Sequence, residues 1–170
     1  TVQVTTGTNI TDAAGNTANT AGAAVTITGD TNDAPVLDNG GTMTLTNISE
    51  DNFTSPGDTV ANIILSASGD RITDNDTVPV EGMAVIGVDD TNGTWQYNTG
   101  SGWAGFGAVS NTSAILLNPS ATIRFVPDAN YAGSSGDITF RAWDQTSGSN
   151  GDTAVNVSSN GGTTAFSTAT

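Results

Sequence analysis

The sequence predicts an all-β fold, an antiparallel β-sandwich, and three observations indicate it. Short runs of alternating or β-branched residues recur along the 170 residues, and turns of Gly, Asn and Asp separate them. No long segment keeps apolar residues at helical spacing, so helices are not expected. The hydrophobic share is 35% and there are 21 glycines, which favours a thin core between two sheets over a broad one.

The predicted strands follow one another at the spacing typical of a sandwich. Alternation assigns their faces: Val25 and Ile27 point to one side of their strand, and Thr26 and Thr28 to the other. The continuous apolar run at 63–65 predicts a central strand that is covered on both faces. The predicted strands are 2–6, 23–28, 43–48, 60–67, 83–88, 94–97, 113–117, 122–126, 138–143 and 154–157.

The composition limits the classes of function. Asp and Glu number 17 against three Lys and Arg, for a net charge of -14, which disfavours nucleic acids and anionic membranes as partners. The chain has no His, Lys or Cys, so it lacks disulfides and most catalytic groups, and we expect no enzyme. Its only glutamates, Glu50 and Glu81, lie in no recognisable glycosidase motif. No apolar run is long enough to span a membrane, and no signal peptide is recognised, so we expect a mature subunit or a segment of a longer protein.

The acidic residues cluster in short loops at 30–33, 50–52, 74–76 and 89–90. Oxygen-only clusters suit a hard cation such as calcium. The spacing of Asp74 and Asp76 places two carboxylates on one side of the chain, whereas adjacent acids such as those at 89–90 diverge and fit a solvated turn. Acidic residues followed by a proline at 35 predict a domain junction. We therefore expect residues 1–33 to form a strand segment with an acidic linker, and residues 34–170 to form the sandwich.

The stretch 28–36, with sequence TGDTNDAPV, resembles the calcium-binding linkers of cadherin-type repeats. Blocks 82–88, 93–97, 123–128 and 138–144 resemble, in that order, the cadherin-like and immunoglobulin-like repeats of large bacterial surface adhesins. This resemblance covers roughly residues 33–170. The first 30 residues, with the sequence TDAAGNT at 11–17, resemble the closing hairpin of a bacterial immunoglobulin-like repeat. It implies an immunoglobulin/cadherin-like antiparallel sandwich at an extracellular location, on the bacterial surface or secreted.

The resemblance also implies calcium ligands in the linker, near the first strand, in the D-x-D loop and after the last block. The alternative for each is a polar linker or a solvated loop. The D-R-E motif of animal cadherins is not visible, so no ligand is assigned from it. The implied ligands are Asp30, Asn32, Asp33, Glu50, Asp51, Asp74, Asp76 and Asp144.

These features predict a structural, calcium-binding repeat of an extracellular bacterial filament or adhesin stalk, with copies of itself or adjacent repeats as partners. In the similar repeats, a segment like 161–170 leads into one more strand, and a strand of that type is found here at 23–28, before the linker. Two explanations stay open. The chain is either a window of a tandem array, or each subunit lends residues 1–30 to its neighbour and so assembles head to tail.

The alternative function is a glycan-binding module of a surface adhesin, in which surface glycans or other cells are the partners. Residues 95–103 predict a hairpin with a Gly-rich tip, and its aromatic residues Trp95, Tyr97 and Trp103 are the candidates for sugar contacts. The competing interpretation is that Trp95 and Trp103 close one end of the core, since aromatic side chains dominate core burial.

Overall fold

The computed structural model describes residues 31–170, of which 32–170 form one compact unit. The strands predicted at 2–6 and 23–28, and the candidate ligand Asp30, lie outside the described residues. The elements are β1 Val36–Leu37, β2 Asp58–Thr59, α1 Val60–Ser66, β3 Ile72–Thr73, β4 Met83–Val88, β5 Gly93–Asn98, β6 Ala104–Gly105, β7 Ile115–Leu117, β8 Thr122–Pro127 and β9 Ile138–Ala142.

Two antiparallel sheets and a small two-stranded sheet organise the described residues. One sheet has the order β7-β4-β9, the other has the order β2-β8-β5-β6, and β1 pairs with β3. The main core lies between the two larger sheets: Met83 and Val85 of β4 are buried with Trp95 of β5 and with Ile123 and Phe125 of β8. The all-β prediction is therefore confirmed for residues 31–170.

Alternation of apolar and polar residues predicted the central strands closely. Strands β4, β5, β8 and β9 match their predictions to within a residue at each end. The hairpin between β5 and β6 pairs Gln96 with Gly105 and Tyr97 with Ala104. In place of the strand predicted at 154–157, the structure has a single bridge between Ala114 and Val155.

The strand predicted at 60–67 is wrong, because these residues form the helix α1. Val60, Ile63 and Ile64 are buried at the spacing of one helical face, whereas Leu65 is 69% exposed. The Thr59 hydroxyl caps the helix by accepting a hydrogen bond from the amide of Asn62 at 3.2 Å. Helix α1 has seven residues, and the described part of the chain contains no helix suited to crossing a membrane.

The prediction of a strand at 43–48 is wrong, because this segment pairs with no strand of the described chain. On one side, its backbone amides donate to side chains instead of to a neighbouring strand. The Thr44 amide donates to Ser66 Oγ at 2.7 Å, and the Thr46 amide donates to Asp58 Oδ2 at 2.7 Å. Met43 is half-buried and packs on the main core, as does Leu45. The segment thus keeps the alternation of a strand without joining a sheet.

The outer face of β7-β4-β9 is covered by the C-terminal part of the chain. Trp143 is 1% exposed and forms a bridge with Phe166, and the amide of Ser167 donates to the Ala142 carbonyl at 3.0 Å. These contacts place residues 165–168 beside the end of β9. Both faces of this sheet are consequently buried along β7 and in the first half of β4.

Arg141 fastens this C-terminal segment to the sheet. Its guanidinium donates to the Ser167 carbonyl at 3.0 Å, to the Thr168 carbonyl at 2.6 Å and through two nitrogens to Asn111 Oδ1. Because Arg141→Met removes four hydrogen bonds from a charged donor, we expect it to lower the free energy of unfolding by about 1–2 kcal/mol. Urea unfolding monitored by circular dichroism measures this loss.

Arg141→Lys is the matched control, because it keeps the charge and the length of the side chain but lacks the planar fork. We expect it to lose less stability than Arg141→Met. Equal stability of Arg141→Met and the unaltered protein would show that the C-terminal segment is held by its apolar contacts alone.

Candidate metal centre

The loop after β3 brings two carboxylates together through a short turn. Asp74 follows the last residue of β3, and its Oδ1 accepts a hydrogen bond from the amide of Asp76 at 3.0 Å. This contact between a side chain and the backbone two residues later is the typical Asx turn. The turn holds Asp74 and Asp76 on the same side of the loop, as their spacing predicts.

A third carboxylate arrives from the end of β9. Asp144 lies two residues beyond this strand and is only 1% exposed. Its Oδ1 accepts hydrogen bonds from the amide of Thr146 at 2.8 Å and from the Thr146 hydroxyl at 2.6 Å. One carboxylate oxygen from each of Asp74, Asp76 and Asp144 lies within 4.8 Å of the other two.

The acidic linker reaches the same place. Asn32 Nδ2 donates to Asp144 Oδ2 at 3.0 Å and is also within hydrogen-bond distance of the carbonyls of Thr163 and Thr164. The amide of Asp33 donates to Asp76 Oδ1 at 2.9 Å. The structure therefore joins five sequence-predicted ligands, two from the linker and three from the sandwich, in one group. We call these five residues the acidic centre.

The acidic centre has no positive side chain to balance it. All three arginines of the chain have other partners: Arg71 pairs with Asp38 at 2.6 Å, and Arg124 and Arg141 donate to amide and carbonyl oxygens. Burial raises the pKa of Asp74, and the nearby charges of Asp76 and Asp144 raise it further. Three carboxylates this close repel one another by about 3 kcal/mol per pair at an effective dielectric constant of about 20.

The oxygen atoms of the acidic centre fit a calcium ion. Asp74 Oδ2 and Asn32 Oδ1 are buried, and neither has a hydrogen-bond partner among residues 31–170. Buried polar atoms without partners are rare, and a bound ion is one of the ordinary reasons for them. Carboxylate and amide oxygens, without nitrogen or sulfur donors, are the set that calcium prefers. A cavity of about 370 Å³ beside Asp33 and Asp74 opens the centre to solvent.

Two candidate ligands are not brought to the acidic centre. The group of mutually close carboxylates among residues 31–170 contains neither Glu50 nor Asp51. Asp51 Oδ1 instead accepts a hydrogen bond from the amide of Asn130 at 3.0 Å, in the loop between β8 and β9. Glu50 is exposed and lines the groove described below. Glu50 and Asp51 remain predicted ligands near the first strand, apart from the acidic centre.

The aromatic residues of the hairpin do not form an exposed platform. Trp95 is 4% exposed and packs against Phe125 with ring centroids 5.1 Å apart, so its assignment to a surface glycan site is corrected. Tyr97 is half-buried against Phe106 at 4.9 Å. Trp103 is half-buried beneath the guanidinium of Arg124, 4.1 Å from the ring centroid. The core interpretation is thus confirmed for Trp95, and Tyr97 also packs against the main core, whereas Trp103 is covered by a charged side chain.

The sequence reasoning missed the residues that orient the ligands. Thr146, which holds Asp144, follows it in a D-x-T pattern that is a signal for a local side-chain turn. The carbonyls of Thr163 and Thr164 could not have been found from sequence, since every residue has a carbonyl and only the fold selects these two. Comparison of the chain with protein-family models, with curated proteins and with solved structures finds no match.

Proposed function

We propose that this chain is a structural, calcium-binding repeat of an extracellular bacterial filament or adhesin stalk. The observation that carries the proposal is the composition of the acidic centre. Asn32 and Asp33 come from the linker, whereas Asp74, Asp76 and Asp144 come from the sandwich. A cation at this position would therefore fix the linker to the domain that follows it.

The proposed sandwich type is the immunoglobulin/cadherin-like one. The four sequence blocks that resemble surface-adhesin repeats lie on β4, β5, β8 and β9, the longest strands of the two sheets. Asp74 and Asp144, two of the proposed calcium ligands, lie just beyond the ends of strands β3 and β9. The net charge of -14 makes the chain self-repelling unless cations neutralise it, which agrees with a calcium-binding role.

The role proposed for calcium is mechanical and not catalytic. Asp74, Asp76 and Asp144 would hold the ion, with Asn32 Oδ1 as an amide ligand, and the ion would cancel their mutual repulsion. Because the ion binds the folded site and not the unfolded chain, it adds stability by mass action. Without it, the acidic centre should loosen and the linker with it.

Calcium is expected to raise the melting temperature of the protein, and a chelator is expected to reverse the rise. At a concentration about 100-fold above the dissociation constant the gain is about 2.7 kcal/mol, or about 5 °C or more for a chain of this size. Calorimetry in calcium and in EDTA measures the shift. Asp76→Asn and Asp144→Asn should each reduce it, because each removes one of the clustered charges.

Asp128→Asn is the matched control, since Asp128 is exposed and lies outside the acidic centre. It removes the same charge and should leave the calcium shift unchanged. Equal melting temperatures in calcium and EDTA for the unaltered protein would refute the proposal. Equal losses in Asp76→Asn and Asp128→Asn would instead assign the shift to general charge screening.

A further inference from the structure

An open groove of about 890 Å³ runs between β9 and the segment 43–45. Ile138 and Phe140 of β9 line it on one side, and Met43 and Leu45 line it on the other. All four side chains are half-buried and pack on the main core. Polar residues such as Thr44, Asp137 and Thr139 line the groove beside these apolar side chains. We call this groove, bounded by two extended segments, the strand groove.

The β9 side of the strand groove presents backbone groups for pairing. The Asp137 carbonyl accepts from the amide of Asp89 next to β4, and the Ala142 carbonyl accepts from Ser167 on the opposite side. Backbone groups alternate in direction along a strand, so those of Ile138 and Phe140 face the same side as those of Ala142. Within residues 31–170 no strand pairs with β9 on that side, since β9 is at the edge of its sheet.

The segment 43–45, on the opposite side of the groove, also presents backbone groups for pairing. The amides of Thr44 and Thr46 are directed to Ser66 and Asp58, so the backbone groups of Met43 and Leu45 face away from these partners. No strand of the described chain pairs with them. An exposed strand edge readily accepts another strand, and main-chain hydrogen bonds then give affinity while side-chain pockets give specificity.

Residues 23–28 have the pattern that the strand groove requires. The sequence AAVTIT carries no charge and alternates apolar Val25 and Ile27 with Thr26 and Thr28. As a strand it would present the two large apolar side chains to one face and the two hydroxyls to the other. Its six residues span about 20 Å, which is enough to pair with Ile138 and Phe140 and to extend beyond them.

Chain connectivity favours a second copy as the source of this strand. Thr28 lies four residues before Asn32, and that span reaches at most about 14 Å. Asn32 contacts Asp144, which lies about 20 Å along the strand direction from Ile138. An antiparallel strand with Thr28 beside Ile138 is therefore beyond the reach of its own chain and requires a second copy, whereas a parallel strand is within reach of the same chain.

We propose that the strand groove binds residues 23–28 of a second copy of this chain as an antiparallel strand beside Ile138 and Phe140. The contact is heterologous, because one copy supplies the strand and the other supplies the groove, and such contacts build filaments when they do not close into a ring. The inference rests on the proposed function for its biological meaning. In each copy the linker 29–31 then connects the lent strand directly to the acidic centre.

Cross-linking between single-cysteine variants of the full chain tests the proposal, since the chain contains no cysteine. Thr26→Cys lies on the solvent face of the predicted strand, and Thr139→Cys lies on the exposed face of β9. Mixed in calcium with a short thiol-specific cross-linker, the two variants should form a covalent dimer. The control mixture pairs Thr26→Cys with Ser101→Cys, an exposed site at the hairpin tip. It should give about tenfold less dimer, which corresponds to a difference of about 1.4 kcal/mol in binding free energy.

Two charge variants of the strand, each added to the Thr26→Cys chain, locate the face that enters the groove. Val25→Asp with Ile27→Asp should reduce the cross-linked dimer by about tenfold or more, because burying two unpaired carboxylates is costly. Ala24→Asp with Thr28→Asp adds the same charge to the other face and should leave the yield nearly unchanged. Circular dichroism and the melting temperature confirm that both variants fold.

Three results would overturn the inference. The first is no excess of dimer for Thr139→Cys over Ser101→Cys. The second is equal loss with both charge variants. The third concerns a double variant that carries both Thr26→Cys and Thr139→Cys. An intramolecular cross-link in this variant while it stays monomeric would show that the chain fills its own groove. The melting shift in calcium is measured on the same samples, so a missing shift with intact cross-links would refute the calcium proposal alone.

Discussion

Asp74→Asn is expected to raise the melting temperature of the metal-free protein and to lower that of the calcium-loaded protein. In the metal-free state this carboxylate is partly buried beside Asp76 and Asp144, and burial with their charges raises its pKa above the ordinary value. Removing its charge relieves repulsion that no positive side chain in the acidic centre balances. In calcium the same substitution removes a charged ligand, so the ion binds less tightly.

The pH dependence of the metal-free protein follows from the same carboxylate. A raised pKa in the folded state means that the folded protein holds this proton more tightly than the unfolded chain does. The stabilising contribution is complete below the ordinary pKa near 3.8, and it is lost as the pH rises through the raised value. Asp74→Asn should abolish this component, so the melting temperature of the variant in EDTA should fall less on going from acidic to neutral pH.

Differential scanning calorimetry of Asp74→Asn in EDTA and in calcium measures both changes in melting temperature. About 1 kcal/mol in either direction corresponds to about 2–4 °C for a chain of this size. Asp128→Asn serves again as the control and should shift the two states alike. A variant that is less stable than the unaltered protein in both media would show that Asp74 acts through its hydrogen bond with Asp76 and not through its charge.

The sequence was sufficient to single out the residues of the acidic centre as candidate ligands, because their pattern is local, but not to predict that they meet. Asp74 and Asp76 alternate in one loop, and Asn32 and Asp33 lie in an acidic linker. What brings the two loops together is the pairing of strands that are distant in sequence. The same reasoning proposed Glu50 and Asp51, which have equally suitable oxygens, but the fold keeps them out of the acidic centre. Nothing in their local pattern reveals that Asp51 turns to the amide of Asn130 instead.

The helix α1 shows how local cues of two kinds compete. A run of β-branched and apolar residues suggested a buried strand at 60–67. The burial of Val60, Ile63 and Ile64 follows helical spacing, and Thr59 provides the cap. A short apolar run fits both periods, so the capping residue was the signal that could have distinguished them. The loss of a strand at this position leaves β2 as a two-residue edge strand.

The strand groove is the feature that local pattern predicted least directly. The sequence pattern raised strand lending as one of two explanations, but it did not indicate which edge would accept a strand. The register of β9 with β4 and the short C-terminal contact at Ala142 place that edge at Ile138 and Phe140. Sheet edges are a property of long-range pairing, so they become visible only in the assembled fold.

Calcium is expected to slow amide hydrogen exchange at the joint between linker and sandwich by about tenfold or more, which corresponds to about 1.4 kcal/mol of added opening free energy. The reporting amides belong to Asp33, Asp76 and Thr146, each of which donates to a carboxylate of the acidic centre. Because the ion holds those carboxylates, it also holds the donors. Exchange measured by nuclear magnetic resonance in calcium and in EDTA gives the ratio at each amide.

The amide of Gly100 is the internal control for this measurement. It also donates to a side-chain oxygen, Asn98 Oδ1 at 2.7 Å, but at the exposed hairpin tip and not in the acidic centre. Its exchange should be the same in both media. Slowing at Asp76 and Thr146 without slowing at Asp33 would mean that the ion binds the sandwich and leaves the linker free. Calcium would then stabilise each domain without stiffening the joint, and a filament of such units would bend at every linker.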